Sequence, residues 1–175
     1  VITTRELSRM IKQANIEFTT LEDSSFDNPM GEATGAAAIF GTTGGVMEAA
    51  LRTAQDALTG KCMDKIDFEE VRGEKEIKKA TVNIDGNDLK VVAASGLKNA
   101  RKILEEIKSG NADYQFVEIM ACPGGCVMGG GQPIKSSKIR REVDVRKLRA
   151  DGLYSIDEKS QIRKSHENPV VRKLY

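Results

Sequence analysis

Two cysteines in a glycine-rich segment are the residues of this sequence best suited to binding a metal group. Cys122 and Cys126 enclose the tripeptide Pro-Gly-Gly, and more glycines follow at positions 129–131. Glycine lets the backbone wrap a bulky inorganic core and turn amide N–H groups toward anionic sulfur. The pattern favours an iron–sulfur cluster, and spacing alone leaves open a redox disulfide between the two thiols.

Zinc is a second alternative that the spacing leaves open. Cys62, Cys122, Cys126 and the single histidine, His166, form one potential Cys3His set. Structural zinc sites commonly begin with a closer CxxC pair, and neither Cys62 nor His166 has a second ligand nearby in the sequence. Such a set would define a zinc-stabilised interaction domain; otherwise Cys62 is predicted to be a free thiol and His166 to cap or pair locally.

The elements just before the cysteines predict how the chain reaches them. The segment 115–120 is short and mostly apolar, which predicts a strand that ends at Met120. Residues 80–84 alternate between apolar and polar before the turn Asp-Gly-Asn-Asp, and the apolar run 89–94 follows it, which predicts a hairpin. Between them, a helix is predicted from a cap at Ser95 to a stop at Gly110.

The remaining pattern predicts an α/β fold, with a small, mostly parallel sheet flanked by helices. Thr3 and Glu6 have capping-box spacing at the start of the first helix. The other predictions are a helix over 4–14, a strand over 16–21, a long loop over 22–36, a strand over 37–40, a helix over 46–58, a strand over 67–72 and mostly helix beyond Pro133.

The helix predicted from Val46 begins beside a glycine turn. Gly44 and Gly45 offer free amides and a positive dipole end, which suit a nearby anionic cluster. Glu48 in the first turn is interpreted as complementing that dipole, with a role in proton transfer as the weaker hypothesis.

Composition argues against function driven by bulk charge. The 27 basic and 26 acidic residues leave a net charge of +1, so neither nucleic acid nor an anionic membrane is an expected partner. No apolar segment approaches the roughly 20 residues that span a bilayer, and no signal-peptide layout opens the sequence, so the predicted compartment is the cytoplasm. The most basic stretch, residues 134–150, is interpreted as a solvated face, with docking of an acidic redox partner as the minority hypothesis.

Residues 116–133, FVEIMACPGGCVMGGGQP, strongly resemble the last of three signature motifs of FeFe hydrogenases. A second block, IFGTTGGVMEAALR at residues 39–52, resembles the glycine turn and helix that precede that motif in the family. The runs TTREL at 3–7 and KSHEN at 164–168 are also similar, so the resemblance covers essentially the whole chain. It makes zinc a remote alternative.

The resemblance implies a cofactor and an activity. In that family four cysteines hold a 4Fe-4S cubane, and one of them bridges to a diiron subcluster to complete the H-cluster. By position, Cys122 is similar to a cubane ligand and Cys126 to the bridging thiolate. Met120 matches a methionine beside the diiron site and Phe40 an aromatic wall, although without the resemblance both would be ordinary core residues. The implied reaction is reversible oxidation of dihydrogen to protons and electrons.

The family's two earlier motifs, with the other cubane cysteines and a proton-relay cysteine, have no counterpart here. The resemblance therefore implies that residues 1–175 are the C-terminal lobe of a two-lobed catalytic domain, without its N-terminal lobe and accessory ferredoxin-like domains. A start at Val1 agrees with a fragment or a separate subunit. The implied partners are the missing lobe, ferredoxin or another redox partner, dihydrogen and protons, and the chain alone is expected to be inactive.

One alternative function remains within the same superfamily. A non-hydrogenase relative of the prelamin-A recognition factor type keeps a similar cysteine loop for iron–sulfur assembly. The run TGGVMEA and Met120 favour the hydrogenase.

Overall fold

A three-stranded sheet lies at the centre of the fold. The computed structural model describes residues 1–25, 27, 33–62, 67–73 and 75–174. Strands β1 (Ile77–Ile84), β2 (Asn87–Ser95) and β3 (Phe116–Met120) lie in the order β1-β2-β3. The β1–β2 pair is antiparallel and the β2–β3 pair is parallel. The α/β class is therefore confirmed, but the sheet is mixed rather than mostly parallel.

The antiparallel pair follows from the local turn chemistry. Asp85 and Gly86 both have positive φ, at 51° and 83°, as a two-residue hairpin turn requires. The predicted hairpin is confirmed, and it is this hairpin that makes the sheet mixed.

The described part of the chain has seven α-helices, two of which pack against the sheet. Their bounds are α1 (Thr4–Gln13), α2 (Gly35–Ala38), α3 (Gly45–Thr59), α4 (Leu97–Lys108), α5 (Ser137–Glu142), α6 (Val145–Lys159) and α7 (Pro169–Leu174). The capping box predicted for α1 is present, with Thr3 and Glu6 bonded reciprocally. None of these helices is long and apolar enough to cross a membrane.

Both faces of the sheet are covered. On one face, Met47 and Leu51 of α3 pack with Val82 and Val91. On the other, Ile103 of α4 packs with its neighbours on β2. Because β2 is buried on both faces, it reads as a continuous apolar run rather than as an alternating one.

Three predicted strands are absent from the described residues. Residues 37–40 belong to α2 and to a 3-10 helix, Ile39–Gly41. A short apolar run does not distinguish strand from buried helix, and the alanines here favour helix once Thr34 caps it. The predicted strands at 16–21 and 67–72 are instead short 3-10 helices, Phe18–Thr20 and Glu69–Val71. Residues 26 and 28–32 of the predicted loop lie outside the described residues.

Candidate functional site

The loop that carries Cys122 and Cys126, here called the cysteine loop, begins where β3 ends at Met120. The parallel pairing of β3 with β2 continues one residue past the ladder, since the Gly96 amide donates to the Met120 carbonyl at 2.8 Å. Ser95 does not cap α4 as predicted: the cap position is Gly96, and the Ser95 hydroxyl accepts from the amide of Gly124 at 3.0 Å. The side chain predicted to begin a helix therefore anchors the cysteine loop.

Cys122, Cys126 and Met120 open onto one surface cavity. The cavity has a volume of about 480 Å³ and is lined by Val46, Phe116, Val117, Glu118, Ile119, Met120, Ala121, Cys122 and Cys126. Met120 and Cys122 are half-buried and Cys126 is exposed. The two cysteines are not bonded to each other, so the disulfide alternative is wrong for this structure.

A second loop, which joins the 3-10 helix Ile39–Gly41 to α3, packs against the cysteine loop at Gly125. Gly125 has a φ of 85°, and a Cβ placed there would lie 2.9 Å from both the Gly41 carbonyl and the Thr43 amide. Only glycine therefore permits this approach of the two backbones. Phe40, next to Gly41, is 43% exposed and does not line the cavity that contains the cysteines.

Glu118 connects β3, the strand that leads into the cysteine loop, with the start of α3, a role that the sequence analysis missed. Its carboxylate is buried and accepts from the amides of Gly44 and Met47, both at 2.6 Å. Of the two amides expected to be free for a cluster, that of Gly44 thus has this carboxylate as its partner, and that of Gly45 donates to the Thr42 carbonyl at 3.1 Å. A single acid in an otherwise apolar strand was the available signal, because such a charge needs a partner when buried.

Lys78 of β1 holds the same second loop from the opposite side. Its buried ammonium donates to the Thr43 carbonyl. Burial lowers the pKa of Lys78 to about 8, and the nearby charge of Arg146 adds to that effect. Two charged side chains, Glu118 and Lys78, therefore fix the turn before α3.

Glu48 belongs to a buried ionic cluster rather than to the helix dipole. It accepts from Arg52 at 2.8 Å and from Arg72 at 2.6 Å, and its side chain is fully buried. Arg52 also bonds Asp157 of α6. Burial alone would raise the pKa of Asp157, but hydrogen bonds from Arg52 and Arg163 outweigh it and hold that pKa below its ordinary value.

The potential zinc set does not assemble. Among the described residues, the one group of three or more metal-ligating side chains is Asp56, Cys62 and Glu167, which contains neither Cys122 nor Cys126. Lys164 donates to both Asp56 and Cys62, at 2.7 and 3.3 Å, so an ammonium already supplies the cation there. His166 bonds Asp56 at 3.0 Å. Cys62 is free of disulfides, as predicted.

The basic stretch at 134–150 is only partly a solvated face. Lys135, Lys138, Arg140 and Arg141 are exposed. Arg149, however, is half-buried and donates to the carbonyls of Val127 and Pro133, at 2.8 and 2.7 Å. Sequence patterns did not indicate this support for the residue after Cys126.

Comparison with known proteins identifies the family. Residues 1–130 match the family described as iron only hydrogenase large subunit, C-terminal domain, and residues 143–175 match the iron hydrogenase small subunit family. The chain therefore belongs to the iron-only hydrogenases.

Three relatives define the extent of the similarity. The chain is 49% identical over its whole length to the NADP-reducing hydrogenase subunit HndD of Solidesulfovibrio fructosivorans, of which it covers 29%. It is 56% identical over 133 residues, 76% of its length, to the periplasmic Fe hydrogenase large subunit of Nitratidesulfovibrio vulgaris, of which it covers 32%. It superposes on apo FeFe hydrogenase HydA1 from Chlamydomonas reinhardtii with a TM-score of 0.73 at 41% identity, covering all of this chain and 49% of that one. The chain thus spans less than a third of these two curated relatives.

The non-hydrogenase alternative is more distant. Protein NAR1 of Arabidopsis thaliana is 30% identical over 181 aligned residues and is covered to 37%. The higher identity to hydrogenases, 49% over the same full chain, favours the hydrogenase branch of the family.

Proposed function

We propose that this chain is the C-terminal lobe of a hydrogenase catalytic domain, and that Cys122 and Cys126 bind an H-cluster at which dihydrogen is reversibly oxidised. One observation carries the proposal: both thiols and the Met120 thioether line one cavity at the end of β3. The carboxylate of Glu118, which also lines it, is already bound by two amides of α3. The donors left are soft sulfur atoms, which suit iron–sulfur ligation better than a hard divalent cation.

The chain's own residues have distinct roles at this site. Cys122 would hold the cubane and Cys126 would bridge to the diiron part. Met120 would form a polarizable wall, and Phe40 would shield the site from the side of the second loop once the rest of the enzyme is in place. When bound, such a cluster supplies reversible electron exchange and the capacity to bind hydrogen. Exclusion of water by these walls tunes its potential.

Other components complete the enzyme. A cubane has four iron corners, and this chain offers two cysteines at the cavity, so the N-terminal lobe supplies the remaining ligands. Ferredoxin or a similar acidic protein delivers electrons, for which the exposed cations of the basic stretch are a suitable surface. The proposed compartment is the cytoplasm, although one relative is periplasmic by name. Fractionation of the native host tests the compartment.

The proposed ligands are tested by serine variants in the enzyme that joins this chain to its N-terminal lobe. Cys122→Ser and Cys126→Ser should lose iron, acid-labile sulfide and hydrogen evolution. Cys62→Ser is the matched control and should retain all three, because Cys62 lies in a different cluster. Met120→Leu should retain the cubane's paramagnetic resonance signal while turnover falls. Iron loss in Cys62→Ser equal to that in Cys122→Ser would show that the ligand set is wrong.

A further inference from the structure

A second cavity lies between α6 and the two loops of the candidate site. It has a volume of about 450 Å³ and is lined by Thr42 and Thr43 of the second loop, by Gly124 and Val127 of the cysteine loop, and by one face of α6. It shares no lining residue with the cavity that contains the cysteines. We propose that this second cavity binds a small oxyanion, a carboxylate or a phosphate group, with Arg146 and Thr43 as its main partners.

Arg146 supplies the positive charge of the proposed site. It lies in the first turn of α6, is half-buried, and has no hydrogen bond or ion pair with another described residue. The other two cations of the cavity wall, Arg72 and Lys147, each have a carboxylate partner, at 2.6 and 2.8 Å. A guanidinium presents parallel N–H donors that match a carboxylate or a phosphate group. Arg146 is therefore the cation of this wall that is suited to an added anion.

Thr43 supplies a hydroxyl that makes no hydrogen bond in the described chain. The residue is only 2% exposed, and its Oγ1 has no partner among the described residues. Its backbone is held in place, since the Thr43 carbonyl accepts from Lys78. A buried hydroxyl without a partner costs free energy, so a ligand that accepts its hydrogen bond would recover that cost. A hydroxyl donor beside a guanidinium favours an oxyanion over a cation or an apolar ligand.

These two groups lie against neighbouring glycines of the cysteine loop. A Cβ at Gly124 would lie 3.3 Å from the Nε of Arg146, and a Cβ at Gly125 would lie 2.9 Å from the Thr43 amide nitrogen. Lys78, which holds Thr43, is also close enough that, besides burial, the charge of Arg146 lowers the pKa of Lys78. An anion at this place would relieve the repulsion between the two cations.

The remaining wall limits the size and charge of the ligand. The Arg72 guanidinium lies 4.4 Å from the centroid of the Tyr154 ring, which forms a flat side of the cavity. Asp151 and Glu158 lie on the exposed part of the wall and disfavour a ligand with many negative charges. The volume of about 450 Å³ lies within the range of small-molecule sites. A small molecule with one oxyanion group fits these conditions.

An occupied site would connect α6 to both loops. The anion would bridge Arg146 of α6 and Thr43 of the second loop, against Gly124, which lies between the two cysteines. Binding should therefore restrict the motion of the loop that carries the proposed cluster ligands. It requires neither a bound cluster nor hydrogen chemistry, so its test is independent of the proposed function.

The test is an NMR titration of the full 175-residue chain with sodium acetate and, separately, with sodium phosphate. Sodium chloride at equal ionic strength is the reference, because it removes general screening effects. Saturable shifts are expected at the amides of residues 42–43, 124–127 and 146–154. Tighter binding of acetate would identify a carboxylate ligand, and tighter binding of phosphate a phosphate ligand. The absence of saturable shifts with both anions would overturn the proposal.

Charge variants show whether the binding belongs to this cavity. Arg146→Gln should weaken the binding of the preferred anion by about 10- to 100-fold, because a charge-assisted contact is lost. Arg101→Gln, at an exposed position of α4 on the other face of the sheet, is the matched control and should bind as the unmutated chain does. Equal affinity of these two variants would contradict a site at Arg146.

Thr43→Val separates ligand binding from stability. It should weaken anion binding by about 2- to 10-fold. It should nevertheless raise the melting temperature of the anion-free chain, because valine keeps the shape and removes the unpartnered hydroxyl. Thr34→Val is the control and should lower the melting temperature, since the Thr34 hydroxyl accepts from the Ala37 amide at 3.2 Å. Unchanged anion affinity in Thr43→Val would overturn the role assigned to this hydroxyl.

Discussion

Glu118 fixes the point at which α3 begins and its distance from the cysteine loop. The carboxylate lies on β3, two residues before Met120, and accepts the amides of Gly44 and Met47. An acid at a helix N-terminus is favoured by the dipole and by the unpaired amides of the first turn. Here that acid comes from a strand about 70 residues away, so one side chain sets both local and tertiary structure.

Glu118→Gln should lower the free energy of unfolding by about 2 kcal/mol, because one of two charge-assisted bonds is replaced by an opposed amide group. Urea denaturation of the variant measures this loss. Glu105→Gln, on the exposed surface of α4, is the control and should change stability by less than about 0.5 kcal/mol. Equal stability of the two variants would mean that Glu118 does not hold the start of α3.

Lys78 should give the stability a characteristic pH dependence. Its pKa is about 8 in the folded chain and 10.5 ordinarily, so between these values the unfolded chain holds a proton that the folded chain lacks. Stability therefore rises with pH in this window, by up to about 1.4 kcal/mol per pH unit from this group. Lys78→Met should remove that rise in urea titrations from pH 8 to pH 10.

The matched control is the neighbouring Lys79. A hydrogen bond to Glu106 raises the pKa of Lys79, so its contribution is lost only above the window in question. Lys79→Met should consequently differ from the unmutated chain by a constant amount between pH 8 and pH 10. The same constant difference for Lys78→Met would contradict a lowered pKa.

At the residue scale, the sequence predicted which single residues could bind a metal group better than it predicted which residues hydrogen-bond to each other. The cysteine loop was found because cysteine and glycine cluster within a few residues. Glu118 and Arg149 were missed because their bonds join residues that are far apart in sequence or cross between elements. Periodicity does not encode such pairings.

At the scale of elements, glycine decides how α2 meets α6. Gly35 lies against the backbone of Asp157, whereas a Cβ placed at Gly152 of α6 would have no neighbouring atom within 4 Å among the described residues. The same substitution at these two helical positions should therefore have opposite effects on stability.

Gly35→Ala should lower the free energy of unfolding by about 1–3 kcal/mol, since the added methyl group forces α2 away from α6. Gly152→Ala should raise it by about 0.5–1 kcal/mol, because alanine restricts the unfolded chain and fits an exposed helix. Thermal and urea unfolding of both variants measure these changes. A stabilising effect at Gly35 would refute the close contact.

Sequence periodicity identified the long elements and failed on the short ones. Helices α1, α3 and α4 and the hairpin have several turns or pairs that repeat a pattern, and each was predicted. Residues 37–40 are too few for a period to distinguish strand from helix, and the Thr34 cap favours helix there, with Gly35 packed against α6. Local capping and tertiary contact together set this segment.

At the scale of the whole molecule, the candidate site has protein on one side only and is otherwise open. Cys122, Cys126 and Met120 line an open cavity, and the third cysteine of the sequence, Cys62, lies in another cluster. The chain covers 49% of the length of the hydrogenase structure with which it superposes. If Cys122 and Cys126 bind a cubane as proposed, ligands for its other two corners, and a cover for its open side, would come from outside these 175 residues.

The chain alone should neither retain a stable cubane nor evolve hydrogen, even after anaerobic reconstitution with iron and sulfide. Two thiols occupy two of the four iron corners, and a cluster held that way faces water and is lost on desalting. Iron, sulfide and hydrogen assays on the desalted chain measure this, and addition of the N-terminal lobe should restore all three. Retention of about four irons per chain, with hydrogen output, would show that this chain already holds a complete ligand set.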